Sequence, residues 1–369
     1  MVSIPCRIVV SIPFASASGQ TYSRAQGLAG GVAQVSRHRW VTMGEVAARA
    51  EVGKITVSRV IRTPDKVAPE TRRRVQAAIR ELGYVPDRTA GALSSMRSGV
   101  IGALVSTLGD SVFASTIDGL SQRLRGAGHE LLLTSTDYDP ALEEEAVRTL
   151  LGRRPDGLVL TSTAHTADVR RMLAASRVPV VEIWQMPDDP VGHVVGFSNR
   201  AAGHALTEYL IGSGRRAIAF LGGDRPNDSR GRRRAEGYAA ALEAAGLGAP
   251  RPVSRGAGDL PNAEFGARAL REARVRWPDL DAVICVSDPV AVGALCEARR
   301  TGLSVPDGLA VAGFGGLEVA SEAALDLTTV AFPGAEIGRR TAEILLHPRD
   351  HTAPQIVDLG FRLIRRATA

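Results

Sequence analysis

The sequence predicts two parts of different class: a small all-α head of three helices, then an α/β core of two lobes built on parallel sheets. Three observations carry this. Arginine and lysine crowd residues 37–97; within that stretch, apolar residues recur at helical spacing behind capping signals; and after residue 98 short apolar runs alternate with amphipathic ones. A length of 369 residues suits a small module ahead of a larger core, because compact domains mostly hold roughly 100 to 200 residues.

Residues 1–40 carry Ser, Gly and Ala with little periodicity and read as a disordered leader or an over-extended start of translation. The stretch IVVSIPFASASGQ imitates a secretion signal, but Ser11 and Pro13 break its apolar run and Arg7 is its whole basic start. The head follows over 41–86. Thr42 and Glu45 stand at the spacing of a capping box and open a helix that buries Val46, Ala47 and Ala50. A second helix runs from about Gly53 to Ile61, with Val57, Val60 and Ile61 on one side. The third begins at Pro69, a favoured first position, and spaces Val75, Ala78, Ile79 and Leu82 along one face until Gly83 stops it. Residues 87–98 read as a hinge or linker, and 99–369 as the core. There, VIGALV, ELLLTS, GLVLTS, VPVVEIW, AIAFLGG, DAVICVS and LAVAGF are the predicted strands. Their alternation with helices implies right-handed crossovers, with ligands beyond the carboxyl ends of the strands.

Composition narrows the function. Hydrophobic residues at 44% and charged residues at 23% belong to an ordinary globular protein. No apolar run reaches the ~18 residues that span a bilayer, so no membrane role is expected. Cys6, Cys285 and Cys296 have neither disulfide-framework nor metal-ligand spacing, which fits a reducing cytoplasm. The net charge of +6 is concentrated in the head, the footprint of a polyanionic partner. No G-x-S-x-G elbow, Walker loop, ordered dinucleotide fingerprint or His/Cys metal cluster is present, so no catalytic residue, metal or cofactor is assigned.

The run TVSRVI, the PETR helix start and ELGYVPDR, in that order and spacing, resemble the head of the LacI/GalR family of transcription regulators. The resemblance continues through VPVVEIW, AIAFLGG, the RAEGY from Arg234 to Tyr238, SDPVAVGAL and VPDGLAVAGFG, covering 41–366. Within the family, LTSTAHT, VVEIW and VGFSN look most like the gluconate-type repressors. The resemblance implies a helix-turn-helix head and a two-lobed core like that of periplasmic binding proteins. It also implies a homodimer on palindromic double-stranded operator DNA in the cytoplasm, and a sugar or sugar-acid effector between the lobes.

It further implies site residues. The second helix of such a head enters the major groove, and Lys54, Ile55 and Arg59 face outward if Val57, Val60 and Ile61 face inward. Lys54 and Ile55 become the base-reading positions, a guanine donor and a thymine-methyl contact, with Thr42, Thr56, Ser58, Arg59 and Arg88 as further contacts. Leu93 matches the hinge leucine that wedges into the minor groove. Arg234 and Asp288 match the family's effector arginine and aspartate. Glu182, Trp184, His165 and Phe113 end strands or sit in the loops that follow them, and are candidates to line the same site. Arg230, Arg232 and Arg233 read as surface charges, one of which could assist a carboxylate. The sequence departs from the family at Glu51, where the turn usually has glycine, at the uncapped helix starts Gly53 and Ala68, and at Gly315-Gly316, where an acidic pair is usual. Gly91 is a poor helix former within the hinge. Two other classes compete: a periplasmic-type sugar-binding protein, which the core alone supports but the missing export signal opposes, and an enzyme on the same scaffold.

Overall fold

The computed structural model describes residues 40–86, 98–108, 111–161, 164–225, 227–256, 260–321, 323, 325–348 and 353–369. The expected leader and hinge, with Arg88 and Leu93, lie outside the described residues. The chain divides into two compact units between Pro86 and Asp87.

The head holds helices α1 (Met43–Arg49), α2 (Lys54–Arg62) and α3 (Pro69–Leu82). The capping box forms: Glu45 N donates to Thr42 Oγ1 at 3.3 Å, and Thr42 N donates to Glu45 Oε2 at 2.7 Å. Gly83 caps α3 at φ 64, the left-handed conformation that ends helices without steric cost. Neither Gly53 nor Ala68 supplies a side-chain cap. Val46, Ala47, Ala50, Val57, Val60, Val75, Ala78 and Tyr84 form the head's apolar centre, which is small because half of these side chains are alanine or lie at helix ends.

The core carries two six-stranded sheets. In the first lobe these are β1 (Val100–Val105), β2 (Glu130–Ser135), β3 (Gly157–Leu160), β4 (Val180–Ile183), β5 (His193–Gly196) and β11 (Ile356–Asp358), in the order β11-β5-β4-β3-β1-β2, all parallel. The second lobe holds β6 (Ile218–Leu221), β7 (Arg251–Val253), β8 (Ala282–Cys285), β9 (Ala310–Gly315), β10 (Thr328–Ala331) and β12 (Arg362–Ile364), in the order β12-β10-β9-β8-β6-β7, with β12 alone antiparallel. Helices α4 (Ala114–Gly126), α5 (Pro140–Gly152) and α6 (Ala167–Ser176) serve the first lobe. Helices α8 (Ser229–Ala244), α9 (Ala263–Arg276) and α10 (Asp288–Arg300) serve the second.

The chain passes between lobes three times: through α7 (Asn199–Gly212) after β5, through α11 (Gly334–Leu346) after β10, and again between β11 and β12. Central strands β3, β4, β6 and β8 are buried along their whole length, as parallel strands covered on both faces must be. This architecture places the ends of both sheets around a common cleft.

Candidate functional site

Two places in the molecule have the chemistry of a site. In the head, Val57 and Val60 of α2 face inward, which leaves Lys54, Ile55 and Arg59 exposed and Thr56 and Ser58 half-buried. Ile55 is 71% exposed, an apolar side chain presented to solvent beside two cations. Thr42 Oγ1 is occupied in its cap, donating to Glu45 Oε2 at 2.8 Å.

In the core, the cleft between the lobes is lined by Phe113, Tyr138 and Trp184 from the first lobe and by Asp228, Arg230, Arg234 and Arg255 from the second. Helices α7 and α8 set this arrangement by a close approach. A Cβ on Gly203 would lie 2.1 Å from the Arg234 carbonyl, and one on Gly237 would lie 2.0 Å from that of Arg200. No larger residue fits between these backbones. Asn199, at the start of α7, is thereby brought against Arg234: Arg234 Nε donates to Asn199 Oδ1 at 2.8 Å, and Asn199 Nδ2 donates to Trp184 O at 2.9 Å. Arg234 Nη1 also donates to Val286 O at 2.7 Å, with its guanidinium over the rings of Phe314 and Phe332 at 4.9 and 5.1 Å.

Trp184 has φ 74, a backbone that a bulky residue rarely adopts and that recurs at functional sites. Its ring meets Phe113, Phe197 and Phe332 edge to face at 5.1, 5.8 and 5.6 Å, and its Nε1 donates to Thr116 Oγ1 at 3.0 Å. The indole is therefore fixed on every side but the one toward the cleft.

Asp228 caps α8 by accepting from Gly231 N at 3.1 Å, and it also accepts from Arg255 Nη2 at 2.8 Å. Burial alone would raise its carboxyl, but the charges of Arg230 and Arg255 prevail and hold it below its ordinary value. Arg230 extends from α8 across to the first lobe, donating from Nη1 to Thr161 O and from Nη2 to Ser106 Oγ, both at 2.8 Å. The free space among these side chains is about 30 Å³. Ligand pockets usually hold about 300 Å³ or more, so this space as it stands is too small for a ligand of ordinary size. Beyond Trp184, Gly315 and Gly316 line a wider, mainly apolar groove of about 1020 Å³.

Residues 98–366 match the family of periplasmic binding proteins and the sugar binding domain of the LacI family, and residues 42–87 match the bacterial regulatory proteins of the lacI family. The chain belongs to the LacI family of bacterial regulatory proteins. It is 36% identical over 321 residues to the HTH-type transcriptional regulator GntR of Escherichia coli K12, covering 86% of this chain and 96% of that protein. A LacI-family transcriptional regulator from Silicibacter pomeroyi has the same fold, with a TM-score of 0.82 at 32% identity, over 89% of this chain and 99% of that one. A complex of the transcriptional regulator CelR with cellobiose aligns with a TM-score of 0.64 at 31% identity, over 89% and 100%. Membership favours a DNA-binding regulator with a sugar-binding core over both the exported binding protein and the enzyme.

Of the effector residues expected in this LacI-family core, Phe113, Trp184 and Arg234 come together on the cleft, and three do not. Asp288, expected to accept from sugar hydroxyls, is 0% exposed and turned into its own lobe. Its Oδ1 accepts from Thr329 Oγ1 at 2.6 Å and its Oδ2 from Leu317 N at 2.9 Å. Glu182 and His165 are engaged with each other: His165 Nε2 lies 3.3 Å from Glu182 Oε1, His165 Nδ1 lies 3.0 Å from Glu143 Oε1, and Glu182 Oε2 accepts from Val191 N at 2.6 Å. The physical reason is burial: the Asp288 and Glu182 carboxylates must take their donors from whatever lies nearest, and for Glu182 one such neighbour is the His165 ring. Burial lowers an imidazole, but the hydrogen bonds to Glu143 and Glu182 outweigh it and raise His165 to about 9. His165 is thus neither a cleft residue nor an exposed loop histidine.

Arg230, expected at the surface, is buried in the cleft, whereas Arg232 is exposed and Arg233 half-buried, beside Glu236 and Asp188. Its four-residue spacing from Arg234 put both on one helix face, a signal the sequence does carry. Arg255 has none, because its partner Asp228 lies 27 residues away. Among the described residues no cluster of His, Cys, Asp and Glu could hold a metal ion, and no helix is long and apolar enough to cross a membrane.

Proposed function

We propose that this LacI-family regulator represses transcription as a cytoplasmic homodimer on a palindromic operator, and that a sugar acid bound between the core lobes releases it. The observation that carries the effector class is the cleft itself: among the described residues that line it, three buried guanidiniums outnumber the one carboxylate, Asp228, between aromatic walls. Arginine forks suit carboxylates, and the rings of Phe113 and Trp184 suit the apolar face of a sugar chain. The gluconate-type resemblance at LTSTAHT and VVEIW points the same way, and a sugar, cellobiose, is the partner in the CelR complex. In this reading Arg234 meets the effector carboxylate.

The organisation follows: a leader over 1–40, the DNA-reading head over 41–86, a hinge over 87–98 that carries Arg88 and Leu93, and the effector and dimerisation core over 99–369. Lys54 and Ile55 read bases, with Thr42, Thr56, Ser58 and Arg59 as flanking contacts. A ligand that touches both lobes favours one lobe arrangement over another, and that differential affinity is what moves the operator equilibrium.

The test is retention of operator DNA by the full chain with gluconate or with neutral sugars. Gluconate should weaken retention 5- to 150-fold, the ordinary span of an allosteric coupling of ~1–3 kcal/mol, and Arg234→Ala should lose that response. Release by neutral sugars alone, or an unaltered response of Arg234→Ala, overturns the assignment.

A further inference from the structure

We infer that the effector carries two anionic groups and that Arg255 takes the second of them, an inference that rests on the sugar-acid reading in which Arg234 meets the first. Arg255 follows β7 and is 2% exposed. Its backbone is anchored, its amide donating to Asp224 Oδ1 at 2.8 Å, and its Nη2 is held by Asp228 Oδ2. Its Nε and Nη1 are buried and have no hydrogen-bond partner among the described residues. Folded proteins leave very few buried donors unmade, and a charged donor is the most costly kind to leave so. Two such nitrogens on one guanidinium, in the cleft of a regulator whose core binds small molecules, mark the place of an acceptor brought by the ligand.

Charge balance sets the number of anionic groups. Among the described residues that line this space Arg230, Arg234 and Arg255 share one carboxylate, Asp228; the next, Asp288, lies behind Arg234, and its oxygens already accept from Thr329 Oγ1 and Leu317 N. A ligand with one carboxylate leaves one guanidinium without a counter-charge in a buried site, whereas a dianion neutralises the cluster. The hydrogen bonds then say which arginine receives the second group. Arg230 already spends Nη1 and Nη2 on Thr161 O and Ser106 Oγ, and Arg234 spends Nε and Nη1 on Asn199 Oδ1 and Val286 O. Arg255 is the one with two nitrogens unmade. The ligand chemistry is a sugar-derived dianion, reached either by a second carboxylate or by a phosphate on the far end of an aldonate.

Calorimetry on the full chain separates these, with glucose, gluconate, glucarate and 6-phosphogluconate as probes. One dianion should bind at least about ten-fold more tightly than gluconate, equivalent to about 1.4 kcal/mol. Tighter glucarate identifies a second carboxylate, and tighter 6-phosphogluconate identifies a phosphate. Arg255→Gln should bring the ratio of dianion to monoanion affinity close to one. Arg255→Lys keeps the charge but loses the planar fork, so it should retain part of that ratio, and it serves as the reading if circular dichroism shows the glutamine variant unfolded. Equal affinity for gluconate and both dianions, or an equal loss for every acid in Arg255→Gln, overturns the second anionic group while the sugar-acid reading stands. Glucose binding as tightly as the acids overturns the sugar-acid reading itself.

Discussion

The head and the core use charge in opposite ways. In the head the cations lie outside a small apolar centre, and even an ion pair such as Arg49 with Glu81 at 2.7 Å is about half exposed on both sides, where such pairs contribute little. The core buries charges, and two of its clusters contrast. In one, His165 sits between Glu143 and Glu182, with its side chain fully enclosed and both ring nitrogens engaged. In the other, Arg230, Arg234 and Arg255 outnumber Asp228, and Arg255 keeps two nitrogens unmade. A buried cluster that satisfies itself is a fastener, holding β4, α5 and the loop before α6 together. A buried cluster with donors to spare in a cleft is suited to a ligand. Burial alone does not separate the two, but the bookkeeping of hydrogen bonds does.

The largest expected effect comes from breaking the self-satisfied cluster. His165→Leu leaves two buried carboxylates facing each other without a counter-charge, and removing one partner from a buried pair costs about 3–5 kcal/mol. Denaturant unfolding of the core, followed through the near-ultraviolet signal of buried Trp184, should show that loss, with His165→Gln intermediate because its amide still donates. A loss under about 1 kcal/mol for the leucine variant would place this cluster with the exposed pairs of the head.

The same cluster should give the core a pH dependence that the head lacks. His165 titrates near 9 when folded and near 6.5 when unfolded. A raised folded value means that its stabilisation is complete below about 6.5 and is lost as pH climbs through about 9, by up to roughly 3 kcal/mol. Asp228 has the opposite sign, its folded value being lowered. Its contribution is present above its unfolded value and is lost as pH falls through the folded one. Core stability should therefore decline toward both alkaline and acid pH, and His165→Gln should flatten the alkaline side only. An alkaline decline that persists in His165→Gln would assign it to another group.

How much of this was legible in the sequence depends on how local each signal is. The head was legible almost residue by residue. The Thr42–Glu45 box, the Pro69 start and the Gly83 stop act within four residues of the backbone they organise. In the core the seven apolar runs became strands, while β5, β7, β10, β11 and β12 gave no signal. Of these, β7, β11 and β12 are edge strands of three residues with exposed positions, too short to show an alternation. The cleft was half legible. Phe113, Trp184 and Arg234 lie on the cleft as expected, but the choice of partners for Asp288, Glu182 and His165 is made by groups 9 to 41 residues distant. Arg230 reaches Ser106 across 124 residues, and no local pattern encodes such a contact.

The smallest effect lies in the head and tests whether its stability is as local as its sequence signals. Glu51, between α1 and α2, has φ 52, the left-handed conformation that costs an L-residue roughly 1–2 kcal/mol. Its amide donates to Ala48 O at 3.2 Å, and the next amide, that of Val52, donates to Ala47 O at 3.0 Å, so the turn is held by backbone bonds that glycine keeps. Glu51→Gly removes the steric cost but adds about 0.4–1 kcal/mol of unfolded-chain entropy. The net gain should be about 0.5–1 kcal/mol, or roughly two- to five-fold slower amide exchange at about RT 0.6 kcal/mol. Hydrogen exchange on the full chain reads α1, α2 and α3 separately from the core, where no change is expected because the turn lies in the other compact unit. Unchanged or faster exchange in the three helices would mean that Glu51 repays its strain through contacts of its own. An equal slowing in the core would mean that the two units do not unfold independently.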